Sequence, residues 1–357
     1  MSPPSATILG LETSCDETAA AIGRGPDQIA SGVVYSQHDV HARFSGVVPE
    51  LAARRHMETI EVVVAEAMRK AGITWPDLHA VAVTRGPGLA GALLVGVCFG
   101  KALAYALRIP LIGVNHLEGH LASAWIDEPD FPTPCVGLVV SGGHTHLYLV
   151  TAPGMYQLIG QTLDDAAGEA FDKAATMLGL GFPGGPAIDR VARPGNPQAI
   201  RFPRPYLKQG SLDFSFSGLK TALLYFLRDQ ASGKQPKSVA DIAASYQEAS
   251  VDVLVEKAFR AVRRYRVGSL SVVGGVSANS RLREALVSRA RSAGIRLALP
   301  PTIYCTDNAV MIAAAAQQAY ARGEFASWDL DTDTELPLPV NVFPQAQKHR
   351  AMVAGRR

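Results

Sequence analysis

The feature that most restricts the fold of this chain is a repetition. An apolar run from Thr7 to Leu11, a polar turn from Glu12 to Thr18 and a second apolar run from Ala19 to Ile22 are followed about 130 residues later by the same plan: Cys135 to Val140, Ser141 to Thr145, His146 to Val150. Each copy reads as two strands joined by a tight polar hairpin. Two such units in one chain call for two lobes of like architecture, and each lobe needs helices to cover its sheet.

The intervening segments supply them. Val47 to Ala71 has the spacing of an amphipathic helix, Ala80 to Thr84 reads as a strand, and Arg85-Gly86-Pro87-Gly88 turns into the glycine-rich apolar stretch Leu89 to Leu107. That stretch is interrupted by Gly91, Gly96, Gly100 and Lys101, which suits a buried helix better than a membrane span. Ser269 to Val273 is a further apolar strand running into Gly274-Gly275-Val276-Ser277-Ala278-Asn279 and a helix from Ser280 to Ala293. From Gly154 to about Tyr265 the pattern is mainly helical, with a Pro/Gly/Arg-rich loop from Gly181 to Gly210, and a last helix runs from about Thr306 to Arg322.

The fold class expected is therefore α/β, with two duplicated lobes and a cleft between them, and an actin-like arrangement suits this plan better than a single Rossmann domain. Residues 1–118 would form the N-terminal lobe, completed by a C-terminal helix at about 307–345. Residues 119–306 would form the second lobe, with a helical insertion at about 154–265. With 357 residues, 48% of them hydrophobic, both lobes can hold a core. Cys15, Cys98, Cys135 and Cys305 are too scattered for a zinc ribbon or a disulfide scaffold, no signal peptide is legible, and the cytoplasm is the expected compartment, with no membrane association.

His116 and His120, in Asn115-His116-Leu117-Glu118-Gly119-His120, are spaced so that one helix face presents both imidazoles to a metal. Two unrelated helix histidines have the same spacing. A zincin would need Glu where Leu117 stands. A third ligand must come from elsewhere in the chain; Asp307 is a candidate, although Thr306 or Asp307 could simply cap the last helix. Ser141-Gly142-Gly143-His144 follows an apolar strand and can form an anion-binding nest, or a plain glycine turn. Gly274 to Asn279 lies at a strand-to-helix junction that favours phosphate. Together with Pro183-Gly184-Gly185-Pro186 these turns point to a nucleotide cleft, and none is a Walker A loop. Asp165, Glu169 and Asp172 share a face at helical spacing, as a solvated acidic face near a helix start also would.

Taken in order, GLETSCDETAAAI (10–22), GVVPELAARRH (46–56), TRGPGLAGALLVG (84–96), NHLEGHLAS (115–123), VVSGGHTHL (139–147), DDAAGEAFDKAA (164–175), GFPGGPAID (181–189), FSFSGLKTA (214–222), GGVSANSRLR (274–283) and TDNAVMIA (306–313) resemble the TsaD family, whose archaeal and eukaryotic relatives are the catalytic subunit of the KEOPS complex. The resemblance implies an actin-like ATPase (ASKHA-type) fold and one divalent metal, Fe2+ or Zn2+, on His116, His120 and Asp307. ATP, ADP or threonylcarbamoyl-AMP would lie against Val139, Val140, Ser141, Gly142 and Gly143, with Asp172, Gly185, Asp189 and Asn279 around the adenosine moiety. It implies transfer of threonylcarbamoyl from that adenylate to N6 of adenosine 37 in the anticodon loop of tRNAs that read ANN codons. Asp16 and Glu17, in the first hairpin, would handle protons in the same cleft. The partners implied are tRNA, a paralogous TsaB-type protein, a small TsaE-type P-loop ATPase and a TsaC-type synthase that supplies the adenylate.

Basic groups available for tRNA phosphates are Arg54-Arg55-His56, the set Arg190, Arg193, Arg201, Arg204 and Lys208, and the set Arg260, Arg263, Arg264 and Arg266, the last reading as an ordinary solvated helix face. Two rivals remain. One is a metalloprotease, disfavoured by Leu117; the other is a non-catalytic nucleotide-binding scaffold.

Overall fold

The computed structural model describes residues 6–25, 28–44, 46–205, 210–231 and 237–338. The first five residues, Lys208, the end of the expected 307–345 segment and the basic tail at Lys348-His349-Arg350 and Arg356-Arg357 lie outside them.

Two five-stranded sheets share one topology. The first holds β1 (Ile8–Glu12), β2 (Glu17–Gly23), β3 (Ile29–Ser36), β4 (Ala80–Gly86) and β5 (Leu111–Asn115) in the order β3-β2-β1-β4-β5. The second holds β6 (Cys135–Val140), β7 (Thr145–Ala152), β8 (Met155–Gln161), β9 (Ser269–Val273) and β10 (Arg296–Ala298) in the order β10-β9-β6-β7-β8. In each, the first three strands form an antiparallel meander, the fourth joins the first strand in parallel, and the fifth joins the fourth in parallel. β1, β6 and β9 are buried along their whole length, which is why they read as unbroken apolar runs.

The meanders are one strand longer than the two-strand hairpins expected. β8 is a strand where the sequence suggested helix, because its alternation of Tyr156 and Gly160, buried, with more exposed neighbours is short and lies at a sheet edge. β3, β5 and β10 were likewise not legible.

Helices α1 (His38–His41), α2 (Pro49–Ala71) and α3 (Ala90–Leu107) belong to the first half. Among the described residues α3 alone is long and apolar enough to cross a membrane; here Ala92, Leu93, Gly96, Val97, Gly100 and Ala104 are buried, and the helix packs on α2 and β4. Its other face leaves Leu94 and Tyr105 exposed. Helix α4 (His116–Ala122) leads to the second sheet, which is covered by α5 (Ala167–Met177), α6 (Gly184–Ala192), α7 (Ser217–Ala231), α8 (Val239–Tyr265) and α9 (Ser280–Ala293) around Phe171, Phe214, Phe216 and Tyr246. Then α10 (Ala309–Arg322) returns to the first sheet.

Close approach there is built into the sequence. A Cβ on Gly10 of β1 would lie 2.7 Å from the Ala309 carbonyl and 2.8 Å from the Ala313 nitrogen, so glycine in the strand and alanines in α10 let helix and sheet backbones touch. That contact carries the segment just before α10 over the end of β1.

Candidate metal centre and facing glycine turn

Asn115 ends β5 and caps α4, its Oδ1 accepting from Leu117 N at 2.9 Å and Glu118 N at 3.4 Å. The cap fixes where the helix begins, so His116 stands in its first turn and His120 one turn on, with ring centroids 4.7 Å apart. Asp307 arrives from the loop before α10. Its Oδ1 lies 3.3 Å from His120 Nε2 and 3.5 Å from His116 Nε2. Three donors bound at about 2.0–2.1 Å in a tetrahedral site stand about 3.3 Å apart, so the spacing suits one ion.

Asp307 does not cap the helix. Asn308 does, accepting from Met311 N at 3.0 Å, which leaves the Asp307 carboxylate for the histidines.

The chemistry of the trio fits a cation. His120 is fully buried and neither ring nitrogen makes a well-formed hydrogen bond; Nε2 approaches Asp307 Oδ1 at 3.3 Å without the geometry for one, and a metal bond there relieves it. Burial also keeps it neutral, lowering its pKa. Burial works the same way on His116, yet Asp307 and Glu12 together carry it up to about 9. Asp307 is drawn below the ordinary carboxylate range, the charge of His116 and the contact with His120 overcoming burial. Glu12 is lowered in the same sense by His116, against its burial.

Glu12 is the residue that sequence reasoning missed. It is the last residue of β1 rather than part of the turn, wholly buried, with Oε2 3.0 Å from His116 Nδ1. The signal was an acidic side chain closing an otherwise apolar central strand.

The first turn is clamped from all sides. Thr13 donates its hydroxyl to Ala92 O at 2.9 Å and Leu89 N donates to Ser14 O at 2.8 Å. A Cβ on Gly88 would lie 2.6 Å from Ser14 O, and one on Gly96 2.3 Å from Thr13 Oγ1, which explains the glycines at the start of α3. His56 is not a surface base: it is buried, with Nε2 donating to Cys15 O at 3.0 Å and Nδ1 2.8 Å from Thr18 Oγ1. Asp16 follows in this turn and Glu17 opens β2. Burial first, then Asp16 and Asp307, push the Glu17 carboxyl well above its ordinary range.

Across from it, β6 ends at Val139 and Val140, both buried, and the second turn begins. Ser141 N donates to His144 O at 2.8 Å, and His144 N donates to Ser141 Oγ at 3.1 Å. Helix α5 seats on the turn through Gly168, whose N donates to Ser141 O at 3.2 Å. A Cβ on Gly142 or Gly143 would meet nothing within 4 Å, and neither has a left-handed φ. Neither packing nor backbone conformation demands these glycines, so close approach of a ligand to bare backbone is the reason left. Burial first, then the charge of His116, lowers the His144 pKa to about 3, so this turn and the metal trio share one electrostatic neighbourhood.

Asp172, Asp189 and Asn279, also expected in the cleft, make structural contacts as well. Asp172 accepts from Gly184 N at 2.7 Å at the start of α6, and burial raises its pKa. Gly185 is open where a Cβ would stand, whereas Gly184 is not, its Cβ falling 2.5 Å from Asp172 Cα. Asp189 accepts from the Ser280 hydroxyl at 2.6 Å. Asn279 caps α9, accepting from Leu282 N at 3.0 Å, and donates to Gln247 Oε1 at 2.8 Å. The acidic face expected at 165–172 is broken: α5 starts at Ala167, and Asp165 precedes it, paired with Lys173 at 2.8 Å. In the third basic set, Arg260 and Arg263 pair with Glu256.

Comparison with known proteins agrees with this geometry. Residues 28–314 match the profile of a family described as TsaD, tRNA N6-adenosine threonylcarbamoyltransferase. The chain is 55% identical over 327 residues to the tRNA N6-adenosine threonylcarbamoyltransferase of Anaeromyxobacter dehalogenans, covering 91% of this chain and 98% of that one. Among solved structures it is similar to T. kodakarensis HypF, with TM-score 0.61 at 14% identity, covering 92% of this chain and 50% of that one. It is also similar to component A of the Acidaminococcus fermentans (R)-2-hydroxyglutaryl-CoA dehydratase, with TM-score 0.54 at 15% identity, covering 89% and 100%. These two likenesses show the fold alone: a two-lobed α/β structure of the actin-like, ASKHA type.

Proposed function

The chain belongs to the TsaD family and is a tRNA N6-adenosine threonylcarbamoyltransferase, and from that premise we propose that its donor is threonylcarbamoyl-AMP and its acceptor adenosine 37 of tRNAs reading ANN codons. The observation that carries this reading is the pairing of an orphaned His120, with His116 and Asp307, against an open glycine turn on the other lobe.

His116, His120 and Asp307 would hold one divalent ion, Fe2+ or Zn2+; two imidazoles and a carboxylate suit either. When bound, the ion supplies Lewis acidity toward the anhydride oxygens. The amides of Gly142 and Gly143 receive the AMP phosphate, with Val139, Val140 and Ser141 shaping the approach and Asp172, Gly185, Asp189 and Asn279 lying around the adenosine. The tRNA N6 amine attacks the carbamoyl carbon, the C–O bond to phosphate breaks with its electrons leaving on AMP, and the amine loses a proton. Backbone donors fixed before reaction favour the developing charge. Glu17 takes that proton, with Asp16 beside it.

The same reading brings in tRNA through its anticodon loop, a TsaB-type partner, a TsaE-type ATPase and a TsaC-type synthase, all in the cytoplasm. Leu117 in place of a zincin glutamate counts against a protease.

The test is transfer of labelled threonine into tRNA by the purified chain with synthase-made adenylate and these partners. His116→Ala and Asp307→Ala are expected to lose transfer by roughly 100-fold or more, and Glu17→Gln to lower turnover while still binding adenylate. Equal label from wild type, His116→Ala and Asp307→Ala would remove the metal from the reading. Parallel loss of adenylate binding in Glu17→Gln would remove its role as proton acceptor.

A further inference from the structure

Glu12 makes three polar contacts inside the protein. Oε1 accepts from Ser14 N at 2.5 Å, Oε2 accepts from the Thr84 hydroxyl at 2.8 Å, and the same Oε2 lies 3.0 Å from His116 Nδ1. Ser14 Oγ stands 3.1 Å from that nitrogen as well. Among the described residues no lysine or arginine pairs with Glu12; His116 is the basic side chain that pairs with it, while His56 and His120 feel its charge from farther off. Each of these partners belongs to a different element: the first turn, β4 and α4.

A buried carboxylate with no cation beside it is expensive, and two neutral donors do not offset that cost. If Glu12 merely held the turn together, a neutral glutamine would serve, its oxygen accepting from Ser14 N and its amide donating to the Thr84 hydroxyl, which can donate on to Leu11 O, 3.4 Å away. An ionised carboxylate accepts only, so the proton between Glu12 and His116 belongs to Nδ1. The other nitrogen, Nε2, then points at Asp307 Oδ1, 3.5 Å away, without needing a proton of its own once a cation is present.

We propose that Glu12 is a positioning residue for the metal, its carboxylate fixing His116 with the proton on Nδ1 so that Nε2 is presented to the ion. Metal-binding histidines commonly donate their second ring nitrogen to such a group, and losing it weakens metal affinity ten- to hundred-fold. The arrangement also gives the first turn its use. Ser14 N, an amide that could have pointed at a ligand phosphate, is turned inward onto Glu12. The inference rests on the reading that His116, His120 and Asp307 hold a metal.

The experiment is Zn2+ titration of the full-length chain against a chromophoric chelator, for wild type, Glu12→Gln, Thr84→Val and His116→Ala, with circular dichroism to confirm the fold. Glu12→Gln should bind Zn2+ roughly ten- to hundred-fold more weakly than wild type, and Thr84→Val a few-fold more weakly. Equal affinity in wild type and folded Glu12→Gln would overturn the proposal while leaving the metal site intact. No Zn2+ binding by wild type above the His116→Ala background would overturn both. Should Glu12→Gln fail to fold, the zinc-loaded wild type decides. In 15N-histidine spectra, assigned with His116→Ala, the His116 Nδ1 should carry a proton and Nε2 should be ligated. A bare Nδ1 refutes the role.

Discussion

The two strand–turn–strand units have the same topology and opposite uses. In the first, the turn after β1 is packed solid: Glu12 fills it from beneath, Gly88 and Gly96 let α3 press on it, and His56 ties down its far side. In the second, the turn after β6 is bare, and a side chain at Gly142 or Gly143 would meet nothing. A duplicated fold therefore does not imply a duplicated site. One turn organises charge for a cation, and the other offers backbone to an anion.

The largest effect that can break this contrast is the pH dependence of metal binding. In the metal-free chain His116 is held protonated up to about 9 by Asp307 and Glu12, so an incoming ion must displace that proton. Apparent Zn2+ affinity should rise about tenfold per pH unit below 9 and level off above it, roughly 100-fold between pH 7 and 9. Chelator competition across that range checks it, and a flat profile would mean that Asp307 and Glu12 do not hold His116 protonated.

Next in size is the same substitution made against the first turn and within the second. Gly88→Ala forces a Cβ to within 2.6 Å of Ser14 O and should cost about 1–3 kcal/mol in urea denaturation. Gly143→Ala should change stability by less than about 0.5 kcal/mol yet weaken adenylate binding, read by calorimetry. Matching stability losses would erase the distinction between a packed turn and an open one.

The smallest effect belongs to the second unit alone. Burial lowers His146 from 6.5 to about 4, so the folded chain keeps this ring neutral where the unfolded chain takes up a proton. Its contribution is fully present above pH 6.5 and is lost as pH falls toward 4. The loss should be about 1–2 kcal/mol after allowance for the ring's partial exposure. His146→Gln should flatten that part of the stability–pH curve measured by thermal melts; an unchanged slope would place the acid lability elsewhere.

Much of this was legible in the chain itself. Unbroken apolar runs marked β1, β6 and β9, because strands buried on both faces have no polar side to alternate with. The repeat gave two lobes, and histidines four apart gave the two ligands of α4. Edge strands β3 and β8 were not legible, since half-exposed strands carry weak patterns that only their neighbours resolve.

What the sequence determined by itself was composition and period: two sheets of one design, a helix with two histidines on one face, and glycine turns after apolar strands. Tertiary structure alone decided which residues meet. Asp307 could cap a helix or bind a metal until Asn308 was seen taking the cap. Glu12 was one polar residue among several until the fold set it 3.0 Å from a histidine 104 positions away. Local pattern fixes how a segment folds; whether a buried charge finds its partner depends on distant segments packing together.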